Sequence, residues 1–235
     1  MVTERREEIP LPKLFEAILP YQASVYVTVL NIIQCIAFGF LVIEVKDIVN
    51  KNEFGLISIL RGVNTFVIIL FVWYRYVAEF QYLWPMSFMD TIIPFLIGVV
   101  ECMIIFSVNP NSVSMKYFVG YIMFLQFIAI WAYYYASKKR GREFTKRLYE
   151  AFYRHPQFAF HLVNFLKKYD RNHARNMSIA LVFSSIFFII AFFWPNAIWE
   201  TIFSCTCIVT LLNRAFRHSF DAYVKKDSHL GPYFS

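Results

Sequence analysis

Two apolar stretches of this sequence contain polar and charged side chains, and the types and spacing of these side chains suggest a functional site. The stretches from Arg61 to Phe80 and from Met86 to Val108 are each apolar enough and long enough to cross a bilayer. The five residues between them predict an antiparallel helical hairpin. Ionisable groups inside a membrane are costly and normally face protein or water, so a functional site is expected in this hairpin.

The spacing of these polar residues predicts a ladder with two rungs. Arg75 would lie level with Asp90, and Asn64 with Glu101, because the two pairs share one midpoint in the sequence. On each helix the two polar residues are eleven positions apart. This spacing is close to three helical turns, so both residues share one face. One further charged residue would flank each rung, one turn away. The predicted intramembrane set is Arg61, Asn64, Arg75, Glu79, Asp90 and Glu101.

Two interpretations of the ladder stay open on the sequence alone. In the first, the polar pairs only fasten the two helices together. In the second, Asp90, Glu101 and Arg61 face a water-filled path within a bundle or an oligomer, since rings of carboxylates admit cations.

A basic segment is the second group of residues with a possible binding role. Positions 138–175 carry eleven lysines and arginines and three acidic residues, a net charge of +8 compared with +7 for the whole chain. Apolar residues recur at helical spacing on both sides of His155 and Pro156, which predicts two short amphipathic helices. We expect this surface to bind anionic lipid headgroups. A cytosolic protein partner is the alternative, and nucleic acid is not favoured. The predicted surface consists of Lys138, Lys139, Arg140, Arg142, Lys146, Arg147, Arg154, Lys167 and Lys168.

Other motifs that indicate metal binding, nucleotide binding or nucleophilic catalysis are absent from the sequence. The five histidines lack the spacing that places two imidazoles on one metal. The four cysteines lie in apolar stretches without metal-site spacing, so neither a metal nor a disulfide framework is expected. The chain has no glycine-rich phosphate loop or nucleophile elbow, and its seven glycines predict no close glycine-mediated helix crossing. The sequence therefore favours a non-enzymatic protein without a cofactor.

One short run resembles a known enzyme family. The run from Arg154 to Phe158 reads Arg-His-Pro-Gln-Phe. It resembles the Arg-His-Pro-x-aromatic run of membrane methyltransferases, such as the isoprenylcysteine carboxyl and phospholipid methyltransferases. In these enzymes the run precedes a closing helical hairpin and a basic tail, which is also the order here. The resemblance implies that Arg154 and His155 would help to bind S-adenosylmethionine. The family's paired glutamates near the C-terminal helix have no counterpart, because His218 and Ser219 stand in that region.

The composition of the chain predicts the helices that position these residues. The chain has 235 residues and is 58% apolar, compared with about 45–50% in soluble domains. We predict an all-α, polytopic transmembrane helical bundle with four firm spans and a C-terminal apolar hairpin, six spans in total. We predict a cytoplasmic amphipathic segment at 1–20 and a four-helix transmembrane bundle at 21–137, with a charged loop at 44–53. A basic amphipathic connector follows at 138–176. The chain ends in a transmembrane or re-entrant hairpin at 177–213 and a cytoplasmic tail at 214–235.

The distribution of basic residues predicts the orientation. Of the 23 lysines and arginines, 18 lie in the N-terminal, connector and C-terminal segments, and four lie in or beside the intervening loops. The positive-inside rule therefore places both termini in the cytoplasm, and we expect the plasma or inner membrane rather than an organelle.

The function predicted from these features is non-enzymatic. We expect a homo-oligomer that forms an ion-conducting pore, or a membrane-perturbing sensor or effector with a cytosolic partner, for example in stress or antiviral defence. The alternatives are a lipid or prenyl methyltransferase that uses S-adenosylmethionine, and a scaffold that anchors a soluble partner.

Overall fold

The fold of the chain is helical. The computed structural model describes residues 11–80, 88–153 and 156–217, and every regular element within these ranges is an α-helix. The helices are α1 (Leu11–Asn50), α2 (Leu56–Phe80), α3 (Phe88–Phe106), α4 (Met115–Arg140), α5 (Glu143–Tyr153), α6 (Pro156–Phe193) and α7 (Ala197–Arg217). The prediction of an all-helical chain is confirmed.

Four of these helices are long and apolar enough to cross a membrane, as in an integral membrane protein. Their candidate spans are Val27–Asn50, Leu56–Val77, Met115–Arg140 and Gln157–Phe193. The apolar part of α3, Ile92–Phe106, is shorter. The predicted total of six spans, with α3 and α7 as the remaining two, therefore stays a proposal.

The first helix is longer than the predicted first span. We expected a charged loop at 44–53, but α1 continues to Asn50. The reason is packing, because Ile48 lies in a buried cluster with Ile105 and Val108 and holds this last part of α1 against the end of α3. The chain then reverses at Asn52, whose φ of 54° is a left-handed conformation that asparagine tolerates.

The sixth helix joins two elements that the sequence separates. The second connector helix and the following apolar span form one uninterrupted helix of 38 residues. It begins at Pro156, where a proline fits the first helical turn, and contains no later proline or glycine. Its N-terminal half packs on α5, with Tyr149, Leu162 and Leu166 in a common buried cluster. The second connector helix and the apolar span are thus parts of one continuous helix.

Packing around α4 and α6 forms the centre of the molecule. These two helices are antiparallel over most of their length, with Tyr133 beside His173 at a ring distance of 5.3 Å. A buried apolar cluster joins α2, α3, α4, α6 and α7 and includes Ile97, Phe118 and Phe203. Helix α1 packs on both α2 and α3, and α7 packs on α2. As a result α2 and α3 contact each other only briefly and do not form the close pair that the sequence predicts.

Helices α1 and α3 come close together at a glycine. A Cβ atom added to Gly98 would lie 2.7 Å from Cγ2 of Ile33. The expectation that no glycine mediates a close helix crossing was therefore wrong. The number of glycines in the chain does not exclude such a crossing, because a single glycine at the contact is enough to let two helices come close. Small residues permit such approaches in membranes, where helices associate mainly through van der Waals packing.

We predict that Gly98→Leu destabilises the protein by about 1–3 kcal/mol, because the new side chain must push α1 away from α3. The matched control is Gly39→Leu, since a Cβ at Gly39 would have no neighbour within 4 Å. Thermal unfolding in detergent measures both variants. Equal midpoints for the two variants would contradict the close contact.

Candidate functional site

A buried arginine organises one end of the helical bundle. Arg61 of α2 is 1% exposed and forms an ion pair with Glu200 of α7. Its Nη1 also donates hydrogen bonds to the carbonyl oxygens of Ser107 and Val113, at 2.6 and 2.7 Å. The guanidinium lies over the ring of Phe118 at 5.0 Å. Arg61 thereby connects α2 and α7 with both ends of the loop between α3 and α4.

The partner of Arg61 is not the one expected from the ladder. We expected Arg61 to flank the rung of Glu101, but its carboxylate partner is Glu200. The reason is that α7 packs along α2, so the first turn of α7 faces Arg61. Sequence reasoning missed Glu200, although it is the sole acidic residue in 177–213. A lone carboxylate in an apolar segment is itself a signal for a buried partner.

The predicted rung of Asn64 and Glu101 is not formed. Glu101 is fully buried, and its Oε2 accepts a hydrogen bond of 3.1 Å from Nε2 of Gln34 on α1. Asn64 lies next to the Cys207 thiol on α7. Neither amide atom of Asn64 has a hydrogen-bond partner among the described residues, and the same holds for Oε1 of Glu101.

The separation of these two residues has a geometric cause. A Cβ atom added to Gly62 would lie 3.8 Å from Cγ1 of Val108, so these two positions are level. In an antiparallel arrangement Asn64 then lies level with Phe106, five residues from Glu101. Five residues correspond to about 7.5 Å along a helix axis. Helix α1, rather than α2, supplies the described hydrogen-bond partner of Glu101.

The second rung has one described member. Arg75 of α2 is buried, and its Nη1 donates a hydrogen bond to the Tyr169 hydroxyl of α6. Its guanidinium also lies 5.1 Å from the Phe71 ring and 5.7 Å from the Tyr169 ring. The side chains of Asp90 and Glu79 lie outside the described residues, so the predicted pairing of Arg75 with Asp90 stays a prediction.

Two members of the predicted basic surface are buried instead. Arg140 is 2% exposed, its Nε donates to Oδ2 of Asp170 at 2.7 Å, and its Nη1 donates to the Tyr149 hydroxyl at 2.9 Å. Burial raises the pKa of the Tyr149 phenol to about 12, so it stays a neutral donor and acceptor. Lys139 is also buried, with its Nζ 6.0 Å from the Tyr135 ring. The prediction that both residues face the cytosol was wrong, because α6 covers this end of α4.

The remaining basic residues of the predicted surface differ in their exposure to solvent. Exposed members of the predicted surface are Lys138, Arg142, Arg147 and Lys168. Lys146 is half-buried, and Lys167 lies against the end of α4, with its Nζ 3.2 Å from where a Cβ of Gly141 would be. An ammonium at this position complements the partial negative charge of a helix C-terminus. Arg154 and His155 lie outside the described residues, so the binding of S-adenosylmethionine is not tested.

A cavity of about 420 Å³ lies between α2, α3, α4, α6 and α7. Apolar side chains such as Ile68, Ile97 and Phe183 form most of its wall. Its polar lining includes Gln126, Asn176 and Thr210, and the charged residues of its described lining are Arg75 and Arg214. The sequence does not indicate this cavity. Its wall combines residues of five helices, and the spacing of residues within one helix does not encode the contacts between helices.

Comparison with known proteins adds no assignment to this geometry. No family model matches the chain, and no curated protein or solved structure is significantly similar to it. Within the described ranges, no group of three or more His, Cys, Asp or Glu side chains is placed to hold a metal ion. The fold defines an all-helical protein whose apolar helices are compatible with membrane insertion, and its candidate sites are the buried polar groups and the cavity.

We predict that Glu200→Gln destabilises the protein by about 3–5 kcal/mol, because it leaves the Arg61 guanidinium buried without a carboxylate. The double variant Arg61→Met/Glu200→Met should lose less stability than either single variant, since it leaves no buried charge. Denaturant titration in detergent, followed by tryptophan fluorescence, measures Glu200→Gln, Arg61→Met and the double variant.

A matched control is available on α5. Glu143 and Arg147 form an exposed pair at 3.5 Å, and Glu143→Gln should change stability by less than about 1 kcal/mol. A double variant whose destabilisation equals the sum of the two single effects would show that the Arg61–Glu200 pair is not coupled.

Proposed function

We propose that this protein binds an amphipathic, lipid-like molecule in the cavity between α2, α3, α4, α6 and α7. The cavity itself carries the proposal. Its volume of about 420 Å³, its mainly apolar wall and its few polar groups are typical of small-molecule sites in proteins. The cavity is partly open and is bordered by α2, α4 and α6, which are long and apolar enough to cross a membrane, so its natural ligands would be molecules that dissolve in the bilayer.

The packing of the surrounding helices supports a ligand rather than an empty space. Protein interiors are close-packed, and voids larger than a water molecule are few. An empty apolar space of this size forfeits the van der Waals contacts of its lining. Small side chains on two helices, Ala129 and Ala132 of α4 and Ala180 of α6, leave the room. A bound hydrocarbon chain would restore those contacts.

We predict that a phenylalanine at Ala129 fills the cavity and weakens ligand binding at least about tenfold. The probe is a sixteen-carbon alcohol with a photoreactive diazirine in its chain, added to the protein in phosphatidylcholine nanodiscs. Labelling is measured by mass spectrometry of the intact protein and of its peptides. Ile130→Phe is the matched control, because Ile130 is the next residue of α4, is half-buried and does not line the cavity.

The expected result is saturable labelling of α4 and α6 in the wild-type protein and in Ile130→Phe, and little labelling in Ala129→Phe. Labelling that is equal in the two variants, or that never saturates, would contradict a specific site.

Ion passage is the second candidate function, and the buried polar groups on α1, α2 and α3 favour it. Gln34, Asn64 and Glu101 each have a buried side-chain atom without a hydrogen-bond partner in the described part of the chain. Such atoms in an apolar bundle call for water, a proton or a cation. Because Asn64 and Glu101 are fully buried in one chain, the path would run through each copy of a homo-oligomer rather than between copies.

We predict that Glu101→Gln abolishes or alters cation flux without changing the size of the assembly, because the amide keeps the shape of Glu101 and removes its charge. Flux is measured in proteoliposomes with ion-sensitive dyes, and assembly by light scattering in detergent. Glu150→Gln, at an exposed position on α5, is the control. Identical flux in the wild-type protein and Glu101→Gln would exclude Glu101 from the path.

The remaining interpretations place partners at the other predicted sites. A cytosolic partner in a sensor, effector or scaffold role would contact the exposed Lys138, Arg142 and Lys168 of the basic surface. A lipid or prenyl methyltransferase would hold its substrate chain in the same cavity, with S-adenosylmethionine near Arg154 and His155. Binding of S-adenosylmethionine by calorimetry separates this enzyme from the other two classes.

A further inference from the structure

We infer that Glu101 of α3 is a proton-binding site, and that its carboxylic acid form pairs with the side-chain amide of Gln34 on α1. Both residues are buried, Glu101 at 0% and Gln34 at 3% exposure. Neither residue lines the cavity, so this site is independent of the lipid-like ligand. A role of the site in transport rests on ion passage, the second candidate function, for which the inference names the ion as a proton.

The hydrogen bonds of the pair are incomplete without a proton. Nε2 of Gln34 donates to Oε2 of Glu101 at 3.1 Å. The other oxygen of each group, Oε1 in both residues, is buried and has no partner among the described residues. The terminal torsions of Glu and Gln are soft, so the two planar groups can turn edge to edge without losing the existing bond. An amide oxygen and a carboxylate oxygen are both acceptors, so they cannot bind each other unless a hydrogen atom lies between them.

A proton on Oε1 of Glu101 satisfies both groups. A protonated carboxyl group has one O–H donor, and a primary amide has a carbonyl acceptor beside its N–H donors. The added O–H would donate to Oε1 of Gln34, while Nε2 of Gln34 continues to donate to Oε2 of Glu101. Two hydrogen bonds would then join the groups, and no charge would remain in the apolar interface. The ionised form would leave a buried charge with a single hydrogen bond, which is costly.

No cation among the described residues is positioned to stabilise an ionised Glu101. The ion pairs in this part of the chain do not include it. On α2, Arg61 is paired with Glu200, and the register of α2 and α3 places it eight residues, or about 12 Å along the axis, from Glu101. On α4, the ammonium of Lys116 contacts aromatic rings. The titratable neighbours of the pair along α1 and α3 are thiols, which carry no charge in the thiol form: Cys35 and Cys102.

A metal cation lacks ligands at this position, whereas a proton does not. Ca²⁺ takes about six to eight oxygen ligands, and Mg²⁺ requires octahedral coordination. The pair offers only the two carboxyl oxygens of Glu101 and the amide oxygen of Gln34. Asn64 cannot complete the set, because it lies level with Phe106 and next to Cys207 of α7. A proton needs one donor oxygen and one acceptor oxygen, which the pair supplies.

The proton would be coupled to the packing of α1 on α3. Gly98 lies one turn before Glu101, and Ile33 precedes Gln34. These two residues meet so closely that a Cβ atom added to Gly98 would lie 2.7 Å from Cγ2 of Ile33. The contact brings the two polar groups together and leaves little room for a water molecule. Release of the proton would leave a negative charge there, which water can reach only if α1 moves away from α3.

The test is an infrared difference spectrum between the wild-type protein and Glu101→Gln. Both are measured at neutral pH in dodecyl maltoside, a detergent without a carbonyl group. A carboxylic acid and a carboxylate absorb at different frequencies, so the spectrum reports the protonation state. We expect a carboxylic acid band in the wild-type protein that shifts to lower frequency in deuterium oxide and is lost in Glu101→Gln. Loss of a carboxylate band instead, with no acid band, would overturn the inference.

Three further variants assign the acid band to the pair. Gln34→Leu removes the amide, so the band should shift to higher frequency, because the C=O bond of an acid without hydrogen bonds is stronger. This shift is measured with Glu101 in place, so it gives the result if Glu101→Gln does not fold. The exchange variant Gln34→Glu/Glu101→Gln keeps one acid and one amide and should retain the band. Glu150→Gln, at an exposed position on α5, is the control and should leave the band unchanged.

The outcomes separate the proton site from ion passage. An acid band at the wild-type frequency in Gln34→Leu would overturn the pairing with the amide. An acid band that depends on Glu101, together with no ion flux in proteoliposomes, would support the proton site and overturn ion passage. Potassium flux that depends on Glu101, together with a carboxylate band, would overturn the proton site and support ion passage.

Discussion

The buried ion pair between Arg61 and Glu200 is the interaction on which the arrangement of this helical bundle depends. A charge inside an apolar bundle is tolerated only with a close partner, because its desolvation is costly and removal of one partner leaves the other uncompensated. Arg61 satisfies this requirement with one carboxylate, two backbone carbonyls and an aromatic ring. These partners come from α7 and from the segments at both ends of the α3–α4 loop. One side chain therefore fixes the positions of three separate parts of the chain.

The consequences of this pair extend along the whole bundle. With its first turn at Arg61, α7 runs beside α2 and closes the space that α3, α4 and α6 leave open. The cavity has this form because α7 supplies part of its wall. The polar group of Gln34 and Glu101 lies where α1 packs on α3, and neither residue lines the cavity. The two candidate sites are therefore separate.

At the opposite end of the bundle, a second buried pair connects the basic connector to the apolar helices. Arg140 at the end of α4 binds Asp170 of α6 and Tyr149 of α5. Because α6 is one continuous helix, the part of α6 that contacts α5 and Arg140 continues directly into the part that lines the cavity. Tyr169 is next to Asp170 in the chain and binds Arg75. The connector and the cavity are thus adjacent through two consecutive residues.

The amino-acid sequence alone indicates the helical class, the presence of several helices of membrane length and some of the residues that carry buried polarity. These features follow from local composition and period, which a reader can count along the chain. It also indicated Arg61, Asn64, Arg75 and Glu101 as residues inside the apolar region. Only the tertiary structure decided their partners, which are Glu200 for Arg61, Gln34 for Glu101 and Tyr169 for Arg75. The physical reason is that neighbours in sequence are not obliged to be neighbours in a bundle. Spacing within α2 and α3 was read correctly, but α1 and α7 pack against α2 more extensively than α3 does, and residues from these helices and from α6 meet its polar face.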